Sequence, residues 1–103
     1  MKKITAVIAA AFLVSSVSVA LASNGEEVFN KNCKACHANG GNIANPKKTL
    51  KKADMDANNL KTVDDVVKLI RNATKPMPSY DASKISDADA KAVSEYILKT
   101  FAK

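Results

Sequence analysis

Apolar residues recur at helical spacing along most of this chain, and no stretch of any length shows the two-residue alternation of a strand. Gly25, Phe29 and Cys33 fall at i, i+4 and i+8 with Val28 beside them, so they share one face of a first helix that ends at Cys33. Ser23 followed three residues later by Glu26 has capping-box spacing, and Glu27 adds a second acid near the positive helix end. Leu50 to about Ala57 reads as a short helix. Thr62 to Asn72 is a stronger one: Val63, Val66, Val67 and Ile70 sit at offsets 0, 3, 4 and 7, Leu69 flanks them, and Thr62 pairs with Asp65 as a cap. The last helix starts at Ser86, with Asp89 three residues on and an apolar stripe of Val93, Tyr96, Ile97 and Phe101. Between helices lie turn residues, Asn39-Gly40-Gly41-Asn42 and Asn45-Pro46. Pro76-Met77-Pro78 stops regular structure and predicts a stiff, extended Met77. The pattern specifies an all-α fold of three to five helices.

The first residues read as an address. Lys2 and Lys3 precede an apolar run from Ile4 to Val14, small residues follow, and Ala20-Leu21-Ala22 fits a small-x-small cleavage site. The run is short for a membrane span. We therefore expect 1–22 to be a cleaved signal peptide and 23–103 to be one domain of 103 − 22 = 81 residues, exported and not stably inserted in a membrane. A chain of that size buries only about 60% of its unfolded surface, so its own core is marginal. Cleavage removes two of sixteen basic residues and none of the ten acids, leaving 14 − 10 = +4.

All the thiol and imidazole chemistry falls in one place. Cys33-Lys34-Ala35-Cys36-His37 contains both cysteines and the single histidine. C-x-x-C-H reads as covalent attachment of one c-type haem. Two thiols on a short segment reach two vinyl groups, and the adjacent imidazole turns under the porphyrin to take the iron. A thioredoxin-like pair needs strand–helix alternation that does not follow. A closed zinc site needs four ligands, and three N/S ligands exist. A disulfide across so short a loop is a poor staple. A large apolar cofactor would complete the small core, with the helices wrapped around it.

A carrier haem takes a second axial ligand. Met1 leaves with the signal, and Met55 on a helix reads as core filler. Met77 follows His37 by 77 − 37 = 40 residues in a non-helical loop able to cross the opposite haem face. His37 and Met77 are thus the expected metal ligands, a pairing that raises the reduction potential.

These residues carry a resemblance to class I c-type cytochromes, and within them to the cytochrome c6 family. Val28-Phe29-Asn30-Lys31-Asn32-Cys33-Lys34-Ala35-Cys36-His37-Ala38 is similar to that family's haem segment. Gly40-Gly41-Asn42, Pro46-x-Lys48-Thr49-Leu50, Met77-Pro78, Ser86-Asp87-Ala88-Asp89 and Val93-x-x-Tyr96 extend the likeness over nearly all of 23–103. The resemblance implies thioethers at Cys33 and Cys36, and a crossing of Gly25 and Phe29 with the last helix at Tyr96. Lys84 stands where the family usually has arginine, implying contact with a haem propionate or a place on the docking face. Leu69 stands where the family usually has a potential-tuning glutamine.

The function implied is one-electron shuttling, not enzymatic turnover, from the cytochrome b6f complex to photosystem I in the thylakoid lumen. A periplasmic donor to a terminal oxidase is the alternative within the class. A gas-binding haem sensor or enzyme with a labile Met77, or a thiol-redox protein without haem, are alternatives of other classes. Partners are electron-transfer proteins rather than nucleic acid, and a monomer is expected. The basic run Lys47, Lys48, Lys51, Lys52 is either a solvated face or a docking patch.

Overall fold

A computed structural model describes residues 24–103, so the predicted signal peptide and Ser23 lie outside the described residues. The first helix, α1 (Gly25–Asn32), is capped by Asn24, whose side chain accepts from the Glu27 N–H at 3.2 Å. The expected Ser23–Glu26 cap is thereby corrected by one residue: Asn caps as well as Ser, and Asn24 also has an acid three positions on. A four-residue helix, α2 (Lys34–His37), continues from the Cys33 junction and runs into a 3₁₀ turn at Ala38–Gly40. Asn39 and Gly40 have φ of 56° and 79°, which reverses the chain after the motif.

The third helix, α3 (Lys52–Ala57), begins two residues later than Leu50. Asp54 explains the shift: its carboxylate accepts from the Thr49 hydroxyl at 2.5 Å and the Thr49 N–H at 3.3 Å, which holds Thr49 to Lys51 outside the helix. Helix α4 (Val63–Asn72) has a full capping box from Thr62 and Asp65, as the spacing predicts. Helix α5 (Asp87–Thr100) is capped by Ser86, which accepts from the Asp89 N–H at 3.1 Å. Five α-helices and no strand occur among the described residues.

The core forms where α5 meets α1 and α4. Val28 and Phe29 of α1, Val66 and Ile70 of α4, Ile85, and Ala90, Val93 and Ile97 of α5 are buried together with Leu50 and Met55. Met55 is 2% exposed, which matches its reading as core filler. Ser94 is fully buried, and its hydroxyl donates to the Ala90 carbonyl at 2.7 Å, so no polar atom is left unpaired there.

The α1–α5 crossing is very close. A Cβ on Gly25 would lie against the Ala92 carbonyl oxygen and 2.8 Å from the Tyr96 Cβ. Only glycine allows the two backbones to meet there. One turn on, Phe29, Tyr96 and Phe101 form an aromatic cluster with ring centroids 5.3 to 5.9 Å apart. Gly40 completes the seam from the other side, since a Cβ there would lie 2.7 Å from the Phe101 ring.

Candidate functional site

The motif sits where α1 ends. The Cys33 N–H donates to the Phe29 carbonyl at 2.8 Å, and the His37 N–H donates to the Cys33 carbonyl at 3.0 Å. One helical turn therefore spans Cys33 to His37, placing Cys33, Cys36 and His37 on neighbouring positions of one face. No disulfide joins the two cysteines; Cys36 is exposed and Cys33 half-buried.

His37 is oriented from behind. Its Nδ1 lies 2.7 Å from the Gly41 carbonyl oxygen. A carbonyl only accepts, so Nδ1 carries the proton and Nε2 keeps its lone pair for a metal. This second contact fixes both tautomer and ring plane. The Gly40–Gly41 reversal supplies it, and the Ile43 N–H donates to the Cys36 carbonyl at 3.0 Å, tying the returning strand of chain to the motif. Sequence reasoning did not find the Gly41 role, whose only signal was the glycine pair after the histidine.

Met77 is half-buried on the segment between α4 and α5. The expected extended conformation is corrected: the Met77 N–H donates to the Thr74 carbonyl at 3.0 Å, closing a turn that contains a cis Lys75–Pro76 peptide bond. Tyr80 brings this segment to the motif. Its hydroxyl donates to the carbonyl of Asn32, the residue before Cys33, at 3.1 Å. Burial raises the Tyr80 hydroxyl above its ordinary pKa. Arg71 binds the same segment, through the Tyr80 and Ile85 carbonyls. Neither Tyr80 nor Arg71 was singled out from sequence.

The remaining candidates separate. Lys84 is exposed and ends a turn in which its N–H donates to the Asp81 carbonyl at 3.0 Å. Of the four clustered lysines, Lys52 pairs with Asp56 at 2.8 Å, while Lys47, Lys48 and Lys51 are exposed. Leu69 and Ile43 are large apolar side chains that the protein alone leaves 38% and 77% exposed. No three His, Cys, Asp or Glu side chains gather into a metal site among the described residues. The donor set is instead two adjacent thiols, one imidazole with a free Nε2, and apolar side chains nearby, which fits a porphyrin and not a protein-only metal centre.

Comparisons with known proteins agree. The family model for cytochrome c oxidase, cbb3-type, subunit III matches residues 20–97. Cytochrome c6 of Cyanidioschyzon merolae is 36% identical over 95 residues, covering 92% of this chain and 89% of the relative. Cytochrome c6 of Synechocystis is 42% identical over 76 residues, covering 74% and 62%. The chain belongs to the class I c-type cytochromes. Among solved structures, OmcF of Geobacter sulfurreducens aligns with a TM-score of 0.73 at 41% identity, over 76% of this chain and 99% of that one. Cytochrome c6 of the diatom Phaeodactylum tricornutum aligns at 0.68 and 34% identity, over 73% and 87%. As a member of this class, and within it most similar to cytochrome c6, the protein carries one covalent haem c and is an electron carrier with electron-transfer partners.

Proposed function

We propose that Cys33 and Cys36 hold the haem as thioethers, that His37 and Met77 are its axial ligands, and that Lys84 lies against a propionate. We further propose that residues 1–22 are removed on export, and that the carrier works in a thylakoid lumen or periplasm. Its donor in this reading is the cytochrome b6f complex and its acceptor photosystem I. When bound, the haem supplies a reversible one-electron couple.

The observation that carries the reading is the His37 Nδ1 contact with the Gly41 carbonyl at 2.7 Å, one turn from Cys33. It prepares Nε2 for iron at the place where the thiols anchor the macrocycle. The Tyr80 hydroxyl bond to Asn32 supports Met77 as the opposite ligand, because it joins the Met77 segment to the same helix end. With both axial positions filled by protein, a carrier changes little geometry on oxidation and excludes small ligands.

Mass spectrometry of exported protein tests the attachment. The expected mass is residues 23–103 plus one haem that survives denaturation; haem extracted by acidified solvent overturns it. The reduction potential then tests the partners, since it decides which donors can reduce the carrier. Exposed Lys47, Lys48 and Lys51 favour a negative partner surface. Electron delivery to the partner should slow as salt shortens the Debye length to about 10 Å and below. Replacing Lys47, Lys48, Lys51 and Lys52 by glutamine should flatten that dependence, and an unchanged slope makes the lysines a solvated face.

A further inference from the structure

We infer that Arg71 is a positioning residue for Met77: its guanidinium closes the neck of the loop that presents the thioether. The inference rests on Met77 as axial ligand.

Arg71 lies in the last turn of α4, and its side chain is only 20% exposed. A cation there commonly serves the helix's own terminal carbonyls. Arg71 does something else. One guanidinium nitrogen, Nη1, donates to the Tyr80 carbonyl at 3.0 Å and to the Ile85 carbonyl at 2.7 Å. The other, Nη2, donates to Asp87 Oδ1 at 2.6 Å. Its partners are thus two carbonyls of the irregular segment after the helix and the first residue of α5.

The geometry makes a neck. The Tyr80 N–H donates to the Ile70 carbonyl at 2.9 Å, and the Tyr80 carbonyl accepts from Arg71. Consecutive residues of α4 therefore grip both backbone groups of Tyr80, closing a loop over 71–79 that contains Met77. Tyr80 is also tied through its hydroxyl to Asn32, beside the motif. Fixing Tyr80 fixes where the loop leaves and returns relative to His37. A loop with a closed neck has fewer conformations in which the thioether points away.

The ion pair with Asp87 is the lesser part. Asp87 is 93% exposed, and water screens a pair of that kind. The carbonyl bonds are part-buried and charge-assisted. Bridging two carbonyls and a carboxylate needs the planar fork of arginine, which a lysine ammonium lacks.

The test compares holoproteins of Arg71→Gln, Arg71→Lys, Asp87→Asn and Met77→Ala. The readouts are the methionine-to-ferric-iron charge-transfer band and carbon monoxide binding to the ferrous form, both taken well below each unfolding midpoint. Met77→Ala should abolish the band and bind carbon monoxide freely. Arg71→Gln should raise the population with Met77 off the iron roughly tenfold, as expected for loss of a charge-assisted hydrogen bond that favours one state. Arg71→Lys should recover part of the wild-type behaviour, and Asp87→Asn should resemble wild type. A wild-type band and carbon monoxide response in Arg71→Gln overturns the inference. So does an Asp87→Asn effect as large as that of Arg71→Gln. If Arg71→Gln yields no folded holoprotein, Arg71→Lys decides: a weakened band supports the neck and a wild-type band overturns it. A band retained in Met77→Ala overturns the ligand reading itself, separately from anything Arg71 does.

Discussion

The α1–α5 crossing and the Met77 segment solve opposite problems. At the crossing, Gly25 lets two backbones touch, and Phe29, Tyr96 and Phe101 fill the space beside them. The holding force there is non-directional and spread over large apolar area. The Met77 segment buries little of itself apart from Ile85; a few directed bonds from Arg71 and Tyr80 hold it. Packing gives the first region stability. Directed bonds give the second a defined place for one sulfur at small cost in buried surface. Damage to the first should therefore appear as unfolding, and damage to the second as altered ligation in a protein that still folds.

The largest expected effect comes from emptying the crossing. Phe29→Ala should destabilise by about 4 kcal/mol, through lost transfer energy and the cavity left among Val28, Tyr96 and Phe101. Below its lowered melting midpoint the ferric spectrum should match wild type. Overfilling the crossing is next. Gly25→Ala places a methyl against the Ala92 carbonyl, and since backbone cannot swing aside, a cost of about 3 kcal/mol is expected from denaturant midpoints. Wild-type stability in Gly25→Ala would mean that the helices cross less closely than 2.8 Å from Tyr96 Cβ implies.

Tyr80→Phe sharpens the comparison from the other region. It removes only the hydroxyl bond to Asn32 and should cost about 1 kcal/mol. Carbon monoxide should nonetheless reach the ferrous iron faster than in Phe29→Ala measured in its folded range. The reverse order would dissolve the distinction between the regions.

The smallest effect concerns acid. Asp65 accepts from the Lys61 and Thr62 N–H groups, each at 3.0 Å, and these bonds hold its carboxyl below the ordinary pKa. A depressed carboxyl contributes fully above its unfolded pKa of about 4 and loses that contribution as pH falls through the lower folded value. Asp65→Asn should therefore weaken wild-type-like stability at neutral pH, with the gap narrowing below pH ~4. A gap that widens in acid contradicts the cap.

Sequence legibility divides along the same line. The α4 stripe Val63, Val66, Val67 and Ile70, the Thr62 and Ser86 caps, and the Gly25–Tyr96 crossing were readable because each rests on local spacing or on the family's likeness. The Met77 turn was not, because flanking prolines restrict φ without saying which carbonyl the Met77 N–H will meet. Arg71 was invisible for a different reason. Its carbonyl partners are 9 and 14 residues away, and backbone oxygens leave no mark on a sequence. Ser23 lost to Asn24 because two residues of equal capping power stood side by side.

The seam between Gly40 and Phe101 joins two distant parts of the sequence. Phe101 lies past the end of α5, yet it seals the chain reversal just after His37 and packs on Phe29 of α1. Without Tyr96 and Phe101 the Phe29 ring would lose its aromatic neighbours, and the reversal at Gly40 would lose the ring that lies against it. The stretch just after the Cys33–His37 motif is thus closed by a side chain 101 − 37 = 64 residues further along the sequence.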